Sequence, residues 1–454
     1  MNNYSFEKRI TDVWDYPKLS IYNNQIKSKE GYFDFLDKVE ENNKGIRLYI
    51  HIPFCTSFCS FCQFYKEPFN KNEAYMDDYF SSVVKELKYY SEKAYIKSQK
   101  VTSIFWGGGD PSIIDYKHFK LLMKAIYENY NVTDDVSFSI EGNVRSLLDE
   151  NRLKMYKEYG VNRISFGIQT FDEDIRKKLL LKPSLAEIDK VVEMISKINI
   201  DSFAFDLMYN LPNQTEEIIV KDIERATKYN SNYIDFYSLN LYPNTNFYKD
   251  IYERQVYEIK PDKYRELIQN KIIHKEMLKK GYSQVLSCTY SKEHDLPHSG
   301  LHHYLTGGNM LGIGPSARSF LNGRAFRNVC SVEKYSEMIN SNIKPIETGV
   351  FISNEELQRR LAILSVTLLK IDKKLINNIE DLKTKVDGLQ KSGYMVDKGN
   401  YFEITEEGTP WIGNVQKMFF SDEESSKDVS NLLKAIKEGR SAYNQDYMSI
   451  RKFS

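Results

Sequence analysis

The stretch that decides the fold runs from Tyr49 to Cys62 and has the sequence YIHIPFCTSFCSFC. Its first half is rich in β-branched and aromatic side chains and predicts a buried strand. The loop after that strand holds three cysteines in C-x3-C-x2-C spacing, namely Cys55, Cys59 and Cys62. Because three thiolates within one turn-rich loop can converge on one centre, the sequence predicts a metal site at the end of the first strand.

Two kinds of metal centre are compatible with such a loop. Structural zinc usually takes four protein ligands, but the two other cysteines, Cys288 and Cys330, are isolated and distant in sequence. A [4Fe–4S] cluster can be held by three thiolates if its fourth iron stays open for a substrate or cofactor. The cluster is therefore the favoured interpretation, and a zinc loop or three buried structural cysteines remain as alternatives.

The composition restricts the possible classes of protein. The 454 residues include 63 Lys and Arg against 63 Asp and Glu, which gives no electrostatic case for binding nucleic acid or an anionic membrane. No run of roughly 18 apolar residues predicts a spanning helix, and the N-terminal sequence lacks the pattern of a secretory signal. Five cysteines make no disulfide framework, so we expect a cytoplasmic, reducing compartment.

Short buried runs alternate with longer stretches of helical spacing over the first half of the chain. The predicted strands lie at 47–54, 101–106, 136–141, 162–169, 201–209 and 232–240. Six strand-then-helix units predict an α/β fold with a parallel sheet, either doubly wound or closed into a partial barrel. In both architectures ligands gather at the carboxyl ends of the strands, so the functional residues are expected there.

The rest of the chain divides into further regions. We expect an N-terminal extension at 1–45, a barrel with its extension at 46–345, a helical and winged module at 346–420, and a loosely attached polar tail at 421–454. Within them, 282–290 predicts one more strand, and 394–404 predicts a hairpin with its turn at 398–400. A winged module suggests DNA binding, but no cluster of Lys and Arg lies on this hairpin, so that role is not favoured.

Glycines and polar residues stand at the ends of successive predicted strands. They are Gly107, Gly108, Gly109, Glu141, Gln169 and Asp206. The glycine run lacks the Lys-Ser/Thr ending of a nucleotide loop, so ATP is not favoured. Two structural alternatives stay open, because the glycines also fit a plain tight turn and Asp206 also fits a cap for the turn at 211–214.

Five further motifs follow the cysteine loop in order. They are FWGGGDPS (105–112), SIEGN (139–143), SFGIQTFD (165–172), FDLMYNLPNQT (205–215) and LGIGPSARS (311–319). Together with the cysteine loop this series resembles the radical SAM superfamily over roughly residues 45–420. The branch it resembles is that of the oxygen-independent coproporphyrinogen III oxidases, which includes haem chaperones, haem-degrading methylases and class C methylases. The resemblance implies a partial (β/α)6 TIM-like barrel with a small C-terminal winged-helix-like α+β module.

The resemblance also implies the cofactors and their ligands. Cys55, Cys59 and Cys62 would hold a [4Fe–4S] cluster whose open iron binds S-adenosylmethionine (SAM), which is cleaved reductively to a 5′-deoxyadenosyl radical. The glycines would allow the backbone to approach the methionine part of SAM closely. The positions that match SAM-binding residues of the family are Tyr49, Phe61, Gly107, Gly108, Gly109, Asp110, Pro111, Glu141, Gln169, Asp206, Asn240 and Arg318.

The chain departs from individual members of the branch at positions that concern the substrate. The oxidase has a further cysteine where this chain has Phe64, and an arginine where it has Leu181. The haem chaperones carry an H-N-x-x-Y-W signature, which here aligns with GLHHYL at 300–305. His302 and His303 are candidate haem ligands in its place, or ordinary surface residues. Cys288 is a candidate hydrogen donor, or an inert buried thiol.

Three functional hypotheses follow. The favoured one is a methylase or C–C bond-forming enzyme in which a second SAM, held by Phe61, Asp110, Pro111 and Arg318, supplies a carbon to a tetrapyrrole or other aromatic substrate. The alternatives are an oxygen-independent coproporphyrinogen III oxidase and a non-catalytic haem-trafficking protein. For partners we expect a small-molecule substrate and a reductant such as flavodoxin or ferredoxin, with no nucleic acid or membrane, and a monomeric protein.

Overall fold

A computed structural model describes residues 4–7, 9–19, 31–40, 44–62, 64–69, 72–241, 246–292 and 299–437. Its strands, in chain order, are β1 (Ile46–Ile52), β2 (Phe54–Cys55), β3 (Glu67–Pro68), β4 (Val101–Gly108), β5 (Val132–Gly142), β6 (Arg163–Gln169), β7 (Ser202–Tyr209), β8 (Tyr233–Ser238), β9 (Ser283–Gln284), β10 (Thr289–Ser291), β11 (Asn309–Ile313), β12 (Arg318–Leu321), β13 (Arg324–Asn328), β14 (Ile346–Phe351), β15 (Lys370–Asp372), β16 (Met395–Asp397) and β17 (Tyr401–Ile404).

The helices connect these strands and cover the outer face of the large sheet. They are α1 (Glu73–Ser91), α2 (Ala94–Lys97), α3 (Tyr116–Asn129), α4 (Val144–Leu147), α5 (Glu150–Glu158), α6 (Glu173–Lys178), α7 (Leu185–Ile198), α8 (Glu216–Lys228), α9 (Asn246–Tyr252), α10 (Lys263–Lys279), α11 (Ser299–Leu305), α12 (Val332–Asn340), α13 (Asn354–Thr367), α14 (Lys373–Asn377), α15 (Glu380–Lys391), α16 (Ile412–Met418) and α17 (Asp422–Lys437).

The large sheet has the strand order β14-β13-β12-β11-β1-β4-β5-β6-β7-β8-β10-β9. Strands β1, β4, β5, β6, β7 and β8 pair in parallel in chain order, and β11 pairs in parallel with the other side of β1. Helical crossovers connect each of these six strands to the next, as parallel pairing requires. The predicted α/β fold with a partial (β/α)6 barrel is thus confirmed.

Local sequence explains why these segments fold as they do. Strand β1 is buried along nearly all of its length, which is typical of a central parallel strand covered on both faces. Helix α7 begins with a capping box, in which Ser184 and Glu187 each bond to the backbone of the other, and ends at Asn199 in the left-handed conformation. These caps determine where α7 begins and ends, and therefore where the chain returns to the sheet.

The C-terminal module has its own hydrophobic core. Side chains from α13 to α16 pack with a small antiparallel sheet of order β15-β17-β16, whose β16–β17 hairpin is the one predicted at 394–404. Two features differ from the sequence-based expectation. Residues 282–290 form only the short strands β9 and the start of β10, and the chain from 422 begins with α17, where Asp428 pairs with both Lys18 and Lys417. Residues 438–454 lie outside the described residues.

The N-terminal segment joins the barrel to the C-terminal module. We call residues 9–19 the N-terminal strap. On one side the amide of Val13 donates to Gln416 at 2.7 Å, and Gln416 donates back to the Val13 carbonyl at 2.8 Å. On the other side Arg9 is buried and donates to the Glu266 carboxylate at 2.6 Å and to the Tyr209 hydroxyl at 2.5 Å. The strap therefore crosses the barrel at the carboxyl end of β7.

Replacement of Arg9 by alanine is expected to destabilise the protein by about 3 kcal/mol, because it leaves Glu266 buried with Lys263 as its one remaining ion-pair partner among the described residues. Urea unfolding at pH 7 measures the loss. The control is Lys154→Ala, which removes an exposed ion pair with Glu150 and should have no measurable effect. Equal stability of the two variants would contradict the anchoring role of Arg9.

No helix among the described residues is long and apolar enough to cross a membrane.

Candidate cofactor site

The cysteine loop leaves the end of β1 and is fixed by backbone hydrogen bonds at its base. The amide of Glu67 donates to the Pro53 carbonyl at 2.7 Å, and the amide of Phe69 donates to the Cys55 carbonyl at 2.9 Å. At the tip the Lys66 ammonium donates to the Cys62 carbonyl at 2.8 Å. The three predicted ligands thus lie on one short loop that is closed at both ends.

The three thiols are partly buried and lie close enough to influence one another. Burial, reinforced by nearby Asp110 and by the neighbouring thiols, raises the pKa of Cys55 to about 12, and burial also raises the pKa of Cys59 to about 11. Among the described residues no three His, Cys, Asp or Glu side chains already form a metal-binding group. The donor set nevertheless fits a cationic centre, because only a bound cation offsets the desolvation and mutual repulsion of such thiolates.

Gly107, Gly108 and Gly109, which we call the glycine stretch, allow neighbouring parts of the protein to pack closely around the site. A Cβ on Gly107 would lie 2.8 Å from a carboxylate oxygen of Glu141, and one on Gly109 would lie 2.6 Å from the Phe54 carbonyl oxygen. Gly108 has a φ of 115° and faces the His51 ring, which a Cβ would meet at 2.7 Å. The sequence predicted that these glycines admit a ligand, and the structure shows that they let β4 approach β5 and the cysteine loop.

His51 lies between the glycine stretch and the cysteine loop and was not singled out from the sequence. Its Nδ1 lies 2.8 Å from the Tyr49 hydroxyl, while burial lowers its pKa to about 4. The ring is therefore neutral at physiological pH. Tyr49 in turn stacks on Phe105 with ring centroids 5.6 Å apart, so the Tyr49 side chain predicted to contact SAM is held by its two neighbours.

Five charged side chains from neighbouring strands form a connected group inside the barrel, which we call the lumen group. They are Arg47, Glu141, Arg163, Asp206 and Asp235. Strand register places Asp206 directly beside Asp235 on β8. Burial, followed by the charge of Asp235 and then of Glu141, raises the pKa of Asp206 well above its usual range. The sequence identified Glu141 and Asp206 from their motifs and missed the other three.

The lumen group has the chemistry to bind a cationic ligand that also carries acceptors. Three carboxylates, of which Asp235 is buried and Glu141 and Asp206 are partly buried, lie with two buried guanidinium groups. Loss of solvation raises the pKa of all three carboxylates. A cation bound beside them would favour their ionised forms. Among the described residues, the buried Nε atoms of Arg47 and Arg163 have no hydrogen-bond partner, so donors remain for an acceptor on the ligand.

Gln169 ends β6 in a left-handed conformation, with a φ of 72°. Asp222 of α8 supports this turn, because its carboxylate accepts from the Thr170 hydroxyl and the Phe171 amide, each at 2.7 Å. The amide of Gln169 folds back over Gly167, whose missing Cβ would lie 2.3 Å from Gln169 Nε2. Gly167 and Asp222 therefore fix the position of a side chain that was predicted to bind SAM.

Replacement of Gly167 by alanine is expected to weaken SAM binding at least about tenfold, because the new Cβ displaces the Gln169 amide. The end of a glutamine side chain moves easily, so the melting temperature should change little. Equilibrium dialysis of SAM against the reconstituted protein measures the effect. Gly281→Ala is the control, because its φ of 81° brings backbone strain but no atom lies within 4 Å of its Cβ position, so no side chain is displaced. Unchanged SAM affinity in Gly167→Ala would contradict the role of Gln169.

The remaining predicted SAM residues have partners within the protein. Thr11 of the strap donates to the Asn240 side-chain oxygen at 2.9 Å, and Arg318 forms an ion pair with Asp15 of the strap. The Asp110 carboxylate accepts from Ser112 and Ser146, and its neighbour Pro111 is buried. Phe61 packs in a hydrophobic cluster with Leu179 and Phe247. The strap thus reaches two of the predicted SAM residues, which the sequence did not indicate.

The candidates for substrate chemistry lie in two places. The buried Cys288 thiol lies beside the lumen group, and burial followed by the charge of Asp235 raises its pKa well above its usual range. It therefore keeps its proton, as a hydrogen donor requires. In α11, His303 Nε2 lies 2.9 Å from the Asn309 carbonyl oxygen, and its ring fills the space where a Gly308 side chain would stand. His303 thus contributes to packing.

Comparison with known proteins agrees with the geometry. Residues 49–226 match the family model described as the radical SAM superfamily. The chain is 29% identical over 387 residues to the heme chaperone HemW of Buchnera aphidicola, covering 82% of this chain and 98% of that protein. It is 24% identical over 373 residues to the anaerobilin synthase of Escherichia coli O157:H7, covering 81% and 82%.

One solved structure shares the whole architecture. Coproporphyrinogen III oxidase (HemN) from Escherichia coli superposes with a TM-score of 0.75 at 20% identity, covering 89% of this chain and 96% of that one. The family match brings a [4Fe–4S] cluster and SAM as cofactors, so the expected cofactors are confirmed. None of these relatives is named a methylase, so the favoured hypothesis of radical methylation with a second SAM gains no support from them.

Proposed function

We propose that this chain, which belongs to the coproporphyrinogen III oxidase-like branch of the radical SAM superfamily, is an oxidoreductase that removes a hydrogen atom from a tetrapyrrole substrate. The observation that carries the proposal is the convergence of Glu141, Gln169 and Asp206 near the glycine stretch, at the carboxyl ends of adjacent strands. Three polar side chains of this kind beside a loop of three cysteines support a protein that binds SAM at a cluster and cleaves it.

The protein residues have separate tasks in the proposed reaction. When bound, the reduced cluster and SAM together supply a 5′-deoxyadenosyl radical as the hydrogen-abstracting group. Cys55, Cys59 and Cys62 would hold the cluster. Glu141 and Asp206 would accept hydrogen bonds from the ammonium and ribose hydroxyls of SAM, and the positive charge of SAM would offset the cost of burying these carboxylates.

The substrate class is supported by the names of the relatives. A heme chaperone, an anaerobilin synthase and a coproporphyrinogen III oxidase share a tetrapyrrole as the molecule that they handle or act on. This chain has Phe64 and Leu181 where the oxidase has a cysteine and an arginine. We therefore propose hydrogen abstraction from the substrate and do not propose the oxidase's decarboxylation.

A second candidate is a haem-trafficking protein, which the similarity to heme chaperones over 98% of their length favours. Two observations support the enzyme instead. The H-N-x-x-Y-W signature is absent, and His303, one of the two candidate substitutes, is engaged with the Asn309 carbonyl and packed on Gly308.

The experiment that separates the two candidates supplies the anaerobically reconstituted protein with dithionite, SAM and either coproporphyrinogen III or haem. We expect one of these tetrapyrroles to raise 5′-deoxyadenosine formation at least about tenfold and to be converted to a product of different mass. Asp206→Asn is the matched control, which should keep its iron but lose this stimulation. Stoichiometric haem binding without any stimulation by either tetrapyrrole would contradict the enzyme and favour the trafficking protein.

A further inference from the structure

The cysteine loop presents an apolar surface on the outside of the molecule. Phe58 is 36% exposed and Phe64 is 57% exposed, although both lie within two residues of a predicted cluster ligand. Large aromatic side chains are costly to expose, and a group of them on a monomer often marks a binding surface. Rings that shielded a cluster from water would be turned inward.

A second segment extends this surface. The Ser60 hydroxyl donates to the Leu179 carbonyl at 3.5 Å, and Phe61 packs against Leu179, so the turn after α6 lies against the cysteine loop. Leu180, in that turn, has a φ of 59° and is 57% exposed. We call Phe58, Phe64 and Leu180 the apolar patch.

Lysines lie in both segments that carry the apolar patch. The Lys66 ammonium lies 5.6 Å from the centre of the Phe58 ring, and Lys177, Lys178 and Lys182 are exposed in the segment that carries Leu180. We call these four residues the lysine rim. The two segments, 56–66 and 176–182, contain four lysines, the buried Arg176 and no acidic residue, in a chain whose net charge is zero. Glu67, which follows Lys66, accepts from the Tyr65 hydroxyl at 2.8 Å. The nearest acidic residues of α6, Glu173 and Asp174, lie in its first turn, at the opposite end from Lys177 and Lys178.

We propose that the apolar patch and the lysine rim form the docking surface for a small acidic one-electron carrier protein. An exposed apolar centre with a charged rim suits a short-lived complex, in which charge speeds the encounter and the apolar contact orients the partner. The predicted cluster ligands Cys55, Cys59 and Cys62 are partly exposed on the same loop. A carrier docked here would therefore be separated from the cluster by the loop alone.

Charge complementarity selects this occupant over a second copy of the chain. A symmetric dimer through the same surface would bring the lysine rims of both copies together, and like charges in an interface are unfavourable. Among the described residues no carboxylate lies within ion-pair distance of the lysine rim. An acidic partner would supply these missing carboxylates.

The step at this surface is the transfer of one electron, with no bond made or broken. The carrier is oxidised by one electron and the iron–sulfur cluster is reduced by one. The inference rests on the proposed function, because only a protein that cleaves SAM reductively needs such a donor. Dithionite, a small reductant that needs no docking surface, separates the two claims.

The test reverses three charges of the lysine rim in Lys177→Glu/Lys178→Glu/Lys182→Glu. The control, Lys280→Glu/Lys374→Glu/Lys391→Glu, makes the same change of net charge at exposed lysines elsewhere. The probe is an acidic flavodoxin. Stopped-flow absorbance measures the second-order rate at which the reduced probe reduces the cluster, and surface plasmon resonance measures its binding to the protein with and without the cluster.

We expect the rim variant to be reduced at least about tenfold more slowly by the probe and to bind it correspondingly more weakly. The difference should shrink in high salt because the interaction is screened. The control should stay within about twofold of the wild type, and all three proteins should react equally with dithionite. Equal loss in the control, equal slowing with dithionite, or unchanged binding of the probe would each overturn the proposal. So would a wild-type dimer that the rim variant abolishes.

Discussion

Replacement of Cys59 by alanine is expected to abolish the iron–sulfur cluster and with it all reductive cleavage of SAM. Two thiolates remain on the loop, and they leave a second iron of the cluster without a protein ligand. Since burial raises the pKa of Cys55 to about 12, that thiol is protonated when no cation holds it, so partial assembly is not stabilised. Iron and sulfide content and the visible absorption spectrum after anaerobic reconstitution measure the loss.

The matched control is Cys330→Ala, which removes another partly buried cysteine that lies far from the loop in sequence. It should take up iron and sulfide like the wild type. Cluster content in Cys59→Ala close to that of the control would contradict the assignment of the loop as the ligand set. Removal of iron from the wild type with a chelator should produce the same loss of activity without unfolding the barrel, whose core is built mainly from side chains of the strands and the helices around them.

Replacement of Gly109 by alanine is expected to have the second largest effect. Its Cβ would lie 2.6 Å from the Phe54 carbonyl oxygen and 2.7 Å from the Pro53 carbonyl carbon. These are backbone atoms at the start of the cysteine loop, and they are fixed by the hydrogen bonds from Gly109 to Ile52 and from Asp110 to Phe54. The clash must therefore displace the loop itself, so we expect loss of about 3 kcal/mol of stability and at least about a tenfold loss of cluster content.

Gly393→Ala is the control for the effect of Gly109→Ala. Gly393 has a φ of 78° with no atom within 4 Å of its Cβ position, so its replacement introduces backbone strain without a clash. That strain costs about 1 kcal/mol. Urea unfolding measures the stability of both variants, and iron content measures how much cluster each one holds. If Gly109→Ala were no less stable than Gly393→Ala and held a full cluster, the close packing of β4 on the cysteine loop would not be needed.

The sequence predicts those parts of the molecule that depend on short local patterns of residues. The cysteine loop, the parallel strands and the positions of Glu141 and Gln169 each follow from short patterns. The lumen group could not be predicted in full, because strand pairing brings its residues together from distant parts of the sequence. Asp235 lies in an ordinary strand pattern, and it becomes part of the site because register pairs it with Asp206, 29 residues earlier.

The contacts of the N-terminal strap could not be predicted from the sequence for the same reason. Arg9 bonds with Glu266, Thr11 with Asn240 and Asp15 with Arg318, and each pair is separated by more than 200 residues. No local periodicity reports such contacts. The segment 282–290 was misjudged because its apolar residues favour a strand, whereas the turn at 286–288 keeps only its ends in the sheet.

The glycine stretch shows how a sequence motif gives only part of the reason for its residues. The sequence predicts that the glycines let the backbone approach SAM, and the structure adds that each position is already crowded by protein atoms. Gly107 meets Glu141, Gly108 meets His51 and Gly109 meets the cysteine loop. The stretch therefore links the second and third strands of the barrel to the loop that carries the predicted cluster ligands.

The central claim is that this chain cleaves SAM reductively at a cluster held by residues 55–62. The most direct measurement is 5′-deoxyadenosine formed by the reconstituted wild-type protein in the presence of dithionite and SAM, compared with Cys59→Ala treated identically. We predict nucleoside at least about a hundredfold above the variant. Equal amounts from the two proteins, with a full cluster in the wild type, would contradict the account.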